Sequence, residues 1–167
     1  TFPYLLRQKL GQEIEVINRG RRANTVELQC NDQNIYDDVI FFYPQFIVIY
    51  LGIVDCAPRL FSKRFGKYII GNIKPVSMRK FVIRQFSNHR LFITQHFPKQ
   101  YVNISDFGRY YSYLVKTILD FGCIPIVVNI AKTSIDNNNK SYGFNENIKD
   151  YNRVIANIAL NLNISLI

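Results

Sequence analysis

Two continuous apolar runs are the strongest structural signals along the chain. Residues 46–51 read Phe-Ile-Val-Ile-Tyr-Leu and residues 124–129 read Ile-Pro-Ile-Val-Val-Asn, without alternation of apolar and polar positions. Continuous runs of this length are typical of strands that are covered on both faces, as the strands of parallel sheets are. Residues 164–167 begin a further run of the same kind. The pattern therefore predicts a parallel sheet with helices on both of its faces.

Apolar residues spaced three or four apart predict two long amphipathic helices. The first stripe consists of Phe107, Tyr111, Leu114, Ile118 and Phe121, and the second of Ile148, Tyr151, Ile155, Ile158 and Leu162. Ser105 or Asp106 is suited to cap the first of these helices, and Gly122 is suited to end it. Two further helices are predicted over residues 3–10, with Thr1 as cap, and over residues 76–86.

The remaining segments complete an alternation of strands and helices. Residues 13–18 are rich in β-branched side chains and predict a strand. A turn at Gly20 follows, and then a helix from about residue 25 with Asn24 as its cap. Residues 133–143 include three consecutive asparagines and predict a loop. The order of elements indicates a single α/β domain over residues 1–167, a three-layer α/β/α sandwich with a parallel sheet.

The positive charge is concentrated in one segment. The chain carries a net charge of +9, and residues 57–100 contain ten Lys or Arg with no Asp or Glu. Such a segment either forms a solvated basic face, which is the favoured interpretation, or attracts an anionic partner such as a phosphorylated sugar, a membrane surface or a nucleic acid. Phe81, Phe86 and Phe92 interleave with arginines as in stacking surfaces, but nucleic acid has the least support of the three.

The cysteines and the apolar stretches indicate whether disulfides, a metal site or a membrane-spanning segment should be expected. The three cysteines, whose number and spacing match no disulfide framework or metal site, are Cys30, Cys56 and Cys123. They predict reduced thiols, a cytoplasmic setting and no metal. No cofactor is expected, because Gly20 lacks the rest of a dinucleotide-binding or P-loop motif. The longest apolar stretch, residues 39–54, is interrupted by Pro44 and Gln45, so no membrane-spanning segment is expected.

Chemistry is expected where loops leave the sheet, because ligands of open α/β sheets bind outside the carboxyl ends of the strands. Three segments are predicted to converge there: residues 18–24, 52–59 and 129–133. Asp55 is expected to tie down its loop by accepting backbone N–H bonds, with a role as catalytic acid as the alternative. Lys132 has only its position to support a substrate contact.

The remaining charged residues and the histidines have less support as catalytic or ligand-binding residues. His89 and His96 lie in the basic segment without a nearby acid or cysteine, so neither is expected to be catalytic. Arg21 and Arg22 follow Gly20 at a predicted helix start, where they are either ligand contacts or surface charges.

Several short motifs resemble those of one enzyme family. Asn18-Arg19-Gly20 before a helix resembles the second conserved block of the SGNH (GDSL) hydrolases, and Gly-Ile-Val-Asp at residues 52–55 resembles their third block, Gly-x-Asn-Asp. Residues 51–59 are similar to a subgroup found in bacterial surface-sugar gene clusters. Tyr151-Asn152 fits the penultimate helix of that subgroup. The resemblance covers nearly the whole chain and implies a flavodoxin-like SGNH fold.

The resemblance also implies what lies outside the chain. The nucleophilic serine of the family sits in a Gly-Asp-Ser turn and its general base in an Asp-x-x-His motif, and neither motif occurs here. The chain is therefore expected to be the central portion of a domain that is truncated at both termini. Gly20 would offer its backbone N–H to the oxyanion. The expected substrate-contacting residues are Asn18, Val54, Asp55, Arg59 and Asn129, of which Val54 replaces the third-block asparagine.

Two functions follow from these observations. The first is a serine esterase or deacetylase acting on an acylated carbohydrate, with a small-molecule or carbohydrate ester as substrate. The second is a non-catalytic glycan- or anion-binding domain of the same fold, suggested by Val54 and by the basic segment. The sequence leaves the oligomeric state, the sugar and the acyl group open.

Overall fold

A parallel sheet of three strands organises the described part of the chain. The structure is a computed structural model that describes residues 2–11 and 13–167. Strand β1 (Phe46–Ile49) pairs with β2 (Ile124–Val127), which pairs with β3 (Ser165–Leu166), in the order β1-β2-β3. Phe46 lies opposite Ile124, and Ile126 lies opposite Ser165. The apolar runs thus predicted the parallel sheet correctly.

Helices and one 3₁₀ turn make up most of the remaining structure. The helices are α1 (Phe2–Leu10), α2 (Val26–Gln29), α3 (Asp32–Asp38), α4 (Ile53–Cys56), α5 (Lys63–Asn72), α6 (Val76–Asn88), α7 (Arg90–His96), α8 (Ile104–Asp120), α9 (Ile135–Lys140) and α10 (Phe144–Asn161), and the 3₁₀ turn is Ile40–Phe42. The α/β class is therefore confirmed. None of the helices in the described ranges is both long and apolar enough to cross a membrane.

Helices α8 and α10 pack against each other and form the centre of the core. Most members of the predicted apolar stripes are buried, namely Phe107, Tyr111, Leu114 and Ile118 on α8 and Ile148, Tyr151, Ile155 and Ile158 on α10. Val115 and Ala159 are buried as well, whereas Phe121 is 58% exposed and Leu162 is half-buried, each just beyond the end of its helix. The ring centroids of Phe107 and Tyr151 lie 4.8 Å apart. The 3.6-residue period was a reliable guide because one stripe of each helix is fully removed from water.

The prediction of a strand over residues 13–18 is wrong. Residues 13–18 form no strand, and Ile14 and Ile17 remain 49% and 45% exposed. β-branched residues favour extended backbone only where a neighbouring strand supplies hydrogen bonds and packing. The described sheet provides no partner for this segment, so its β propensity is not realised.

Three local predictions also need correction. Asn103, not Ser105 or Asp106, caps α8 by accepting the Asp106 N–H, and Thr25, not Asn24, caps α2. The segment 133–143 is not a plain loop, because it contains α9, which Ser134 caps through the N–H of Asn137. The predicted cap at Thr1 lies outside the described residues.

Strand β1 is covered on one face only. Ile49 is buried, whereas Phe46 and Val48, which point to the opposite face, are 60% and 39% exposed. The expectation of cover on both faces is therefore not met at β1 by the described residues. A continuous apolar run predicts cover on both faces of a strand but does not identify the segment that provides it.

Candidate functional site

Two of the predicted segments meet at the carboxyl ends of β1 and β2. Gly52 follows β1 with φ +122° and begins α4. A Cβ atom at Gly52 would lie 2.5 Å from Cδ1 of Ile130, which follows β2. The segments 52–59 and 129–133 are therefore in close contact, as the sequence predicted.

Asp55 connects these loops to the start of α2. Its side chain is fully buried, and its Oδ1 accepts the backbone N–H of Val26 at 3.0 Å. Its Oδ2 is buried without a hydrogen-bond partner among the described residues. Burial raises the pKa of this carboxyl to about 6, against the opposing effect of the backbone N–H bonds and of Lys63 and Arg59. Asp55 therefore accepts a backbone N–H bond, the kind of contact predicted for it, but the donor is at the start of α2 and not in its own loop.

The segment that precedes α2 is held by a buried acid. Arg19 and Arg21 both pair with Oδ1 of Asp38, at 3.1 and 2.7 Å. Asp38 is 7% exposed, so these two arginines compensate a carboxylate that burial would otherwise destabilise. Arg21 is thereby explained as an anchor of the segment, whereas Arg22 is an exposed surface residue. Sequence reasoning missed Asp38 because nothing in its local pattern distinguishes it from Asp37.

The backbone N–H of Gly20 is engaged within its own turn. It donates to Oδ1 of Asn18 at 3.0 Å, and both residues are exposed. The hydrogen bond spans two residues, as in an Asx turn. The candidate oxyanion donor is therefore accessible, but in this conformation it is occupied by the side chain of Asn18.

Arg59 is fixed beside the third-block segment. Its Nη2 donates to the carbonyl oxygen of Val54 at 2.7 Å, and its guanidinium lies 4.0 Å from the ring centroid of Tyr101. Its Nε is buried without a partner among the described residues. Burial lowers the pKa of this guanidinium. Arg59 thus stabilises the turn that carries Val54 through one nitrogen and leaves another N–H unused.

An asparagine on α10 holds the loop after β2. Asn152 donates to the carbonyl oxygen of Ile130 at 3.0 Å and accepts the Ile130 N–H at 2.8 Å. Asn129 donates its backbone N–H to Ile167 at 2.7 Å, while Lys132 is exposed. Sequence reasoning did not name Asn152 as a site residue, although the Tyr151-Asn152 pair was a signal for it.

A cleft lies next to these loops. It has a volume of about 710 Å³ and is lined by Pro58, the end of α7, the segment 98–100 and the junction of α9 and α10. Asn147, in its wall, donates to the carbonyl oxygen of Cys56 at 2.9 Å. The cleft therefore adjoins the segment that carries Val54 and Asp55.

The described residues do not supply a nucleophile activated by a base. His89 and His96 are exposed at the two ends of α7, and His96 packs on Phe92 with centroids 4.4 Å apart. Cys30 and Cys56 are free thiols whose pKa burial raises to about 12, so neither is a thiolate at neutral pH. Within residues 2–11 and 13–167, no three His, Cys, Asp or Glu side chains cluster as a metal ion would require.

Comparison with known proteins rests on the fold. The sequence matches no protein-family model and no curated protein. Solved structures similar to it include two acetyl xylan esterases. An acetyl xylan esterase, AlAXEase, has a TM-score of 0.55 and 15% identity, over 88% of this chain and 55% of that one. A catalytic mutant of an acetylxylan esterase from Geobacillus stearothermophilus has a TM-score of 0.59 and 17% identity, over 99% of this chain and 60% of that one.

The chain therefore spans little more than half the length of these two structures. At such identities the likeness concerns the fold alone, which the chain shares with both esterases over nearly all of its described length.

Proposed function

We propose that this chain is the central part of an SGNH-type serine esterase or deacetylase that removes acyl groups from a carbohydrate. The observation that carries the proposal is the fold, which two acetyl xylan esterases share over 88% and 99% of the chain. The order of the motifs gives separate support, because Asn18-Arg19-Gly20 and Gly52-Ile53-Val54-Asp55 stand in the sequence as the second and third SGNH blocks do.

The geometry of the loops is consistent with a site at the carboxyl edge of the sheet. Gly52 touches the loop after β2, and Asp55 holds the start of α2. Segments from three parts of the chain are thereby anchored around one edge, which is where ligands of such sheets bind. The adjoining 710 Å³ cleft is large enough to accept a sugar unit beside that edge.

The nucleophile and the base belong, in this proposal, to parts of the protein outside residues 1–167. A serine in a Gly-Asp-Ser turn attacks the ester carbonyl, and a histidine takes its proton and later returns it to the departing sugar hydroxyl. Those parts would also cover the exposed Phe46 and Val48 face of β1 and complete the three-layer sandwich.

Oxyanion stabilisation has one candidate donor in this chain. The Gly20 N–H serves once the Asn18 side chain has rotated away from it. Val54 replaces an asparagine donor, and the loss of one such donor typically costs about 3–4 kcal/mol of transition-state stabilisation. Arg59 is the proposed substitute, because its guanidinium lies beside the Val54 segment and its Nε, which is buried in this conformation, has no partner among the described residues. Asn18, Asp55 and Asn129 complete the set of residues proposed to shape the substrate loops.

Covalent labelling tests the proposal. A fluorophosphonate probe reacts with serines that are activated by a neighbouring base, so the longer protein should be labelled at one serine of a Gly-Asp-Ser motif. Replacement of that serine with alanine should abolish the labelling. Absence of labelling in a folded protein, together with flanks that encode neither motif, would reject the esterase and leave the glycan-binding domain as the function.

A further inference from the structure

Residues 63–88 form a helical hairpin of α5 and α6 that lies almost entirely on the surface. Ile69 is the only buried residue among them. Phe86 on α6 contacts Phe65 on α5 with ring centroids 6.4 Å apart, and it contacts Phe61, which precedes α5, with ring centroids 4.8 Å apart. An ion pair between Lys63 and Glu27 fixes the start of α5. The hairpin is therefore an ordered element whose outer side chains are free for other contacts.

The turn end of the hairpin, residues 67–80, combines apolar side chains with cations. The exposed aliphatic and thioether side chains here are Ile70, Val76 and Met78, which are 63%, 53% and 57% exposed, and the exposed cations are Lys67, Lys74 and Lys80. Arg79 donates to the carbonyl oxygen of Ile70 at 3.4 Å and so connects the two helices. The whole segment 57–100 contains no acidic residue. We call residues 67–80 the hairpin tip.

We propose that the hairpin tip docks on an anionic membrane surface. Lysines near a negatively charged leaflet are attracted to lipid phosphates, while aliphatic side chains gain free energy by entering the apolar boundary below them. An anionic membrane thus offers favourable contacts to the lysines and to the exposed apolar side chains of the tip at the same time. This inference rests on the surface of the hairpin and is independent of the proposed esterase activity.

Other occupants satisfy only one of the two groups. A nucleic acid offers phosphates to the lysines but no apolar phase for Ile70, Val76 and Met78. A second copy of the chain would bring two acid-free basic surfaces together, and their repulsion disfavours the contact. If the hairpin tip were only a charged surface in water, this would account for its lysines but not for its exposed aliphatic side chains.

Vesicle flotation tests the docking with the full chain. We expect binding to vesicles of phosphatidylcholine mixed with phosphatidylglycerol, weaker binding as salt is added, and little binding to phosphatidylcholine alone. The variant K67Q/K74Q/K80Q should bind about 100-fold more weakly, at about five-fold per lysine. The matched control K116Q/K140Q/K149Q removes the same charge from exposed lysines elsewhere and should bind like wild type.

Insertion of the tip has its own readout, because the chain contains no tryptophan. Met78→Trp should show blue-shifted emission with anionic vesicles, whereas Leu160→Trp, at a site 80% exposed on α10, should not. An equal loss in the control triple variant, equal binding to both kinds of vesicle, no binding, or stronger binding to an oligonucleotide than to vesicles would each overturn the proposal. Circular dichroism of every variant shows that the helices are retained.

Discussion

Asp55 is fully buried, and burial and hydrogen bonding shift the pKa of its carboxyl group in opposite directions. The hydrogen bond from Val26 favours the ionised form, but removal from water disfavours it more, and the pKa rises from 3.8 to about 6. The sequence indicated the anchoring role of this residue, because an aspartate after a glycine turn often accepts backbone N–H bonds. Its protonation could not be predicted, because that depends on burial by residues far away in the sequence.

The raised pKa of Asp55 makes stability depend on pH. Between about pH 4 and pH 6 the unfolded chain loses this proton while the folded chain keeps it, so stability falls as the pH rises. Asp55→Asn keeps an acceptor for Val26 and does not titrate. Its unfolding free energy, relative to wild type, should therefore rise by up to about 3 kcal/mol from pH 4 to pH 7. Urea unfolding of both proteins across this range measures the difference, and a difference independent of pH would contradict the assignment.

Gly52 has a local, steric role at the start of α4. Its φ of +122° is unfavourable for other residues, and a Cβ would collide with Ile130. Gly52→Ala should lower the free energy of unfolding by at least about 2 kcal/mol. Gly66→Ala, in α5 with open space around the added carbon, should instead raise it by about 0.5–1 kcal/mol. Urea unfolding measures both, and equal effects of the two substitutions would refute the close contact.

At the level of elements, the loop after β2 depends on α10. Asn152 satisfies both backbone groups of Ile130, and a lost buried partner costs about 1–3 kcal/mol. Asn152→Ala should therefore destabilise the protein by this amount and speed the hydrogen exchange of the Ile130 amide. Asn157→Ala is the matched control, because Asn157 is exposed on the same helix. If the exchange rate of the Ile130 amide is unchanged in Asn152→Ala, the two hydrogen bonds of Asn152 do not hold the loop after β2.

The elements themselves were predictable to the extent that they bury a full face. Helices α8 and α10 and strands β1 and β2 have strong apolar patterns and lie where the sequence indicated. The segment 13–18 has a strand-like composition but no partner, and α9 is held by its Ser134 cap in a polar stretch that read as a loop. The two failures have different causes: the apolar residues of 13–18 lack a partner strand, and the polar segment of α9 forms a helix with a local cap.

At the scale of the whole molecule, the described residues leave one face of strand β1 uncovered. Phe46 and Val48 on β1 are exposed, and the chain spans 55–60% of the length of the two esterases that share its fold. The contact between segments 52–59 and 129–133 was predictable from the sequence, because the carboxyl ends of parallel strands share one edge, whereas among the described residues no hydrogen bond joins residues 18–24 to either segment. Sequence reasoning could not identify the hydrogen-bond partners of Gly20 and Arg59, since these depend on side-chain geometry. The candidate site is thus a set of anchored loops whose proposed chemistry depends on a serine elsewhere.

The most direct test of the proposed esterase is the release of acetate from acetylated carbohydrates by a longer protein that contains this chain, measured with and without replacement of the Gly-Asp-Ser serine by alanine. We predict turnover by the wild-type protein and a loss of at least about 1000-fold in the alanine variant. Equal rates in the two proteins, or no release by a folded wild-type protein from these substrates and from p-nitrophenyl acetate, would contradict it.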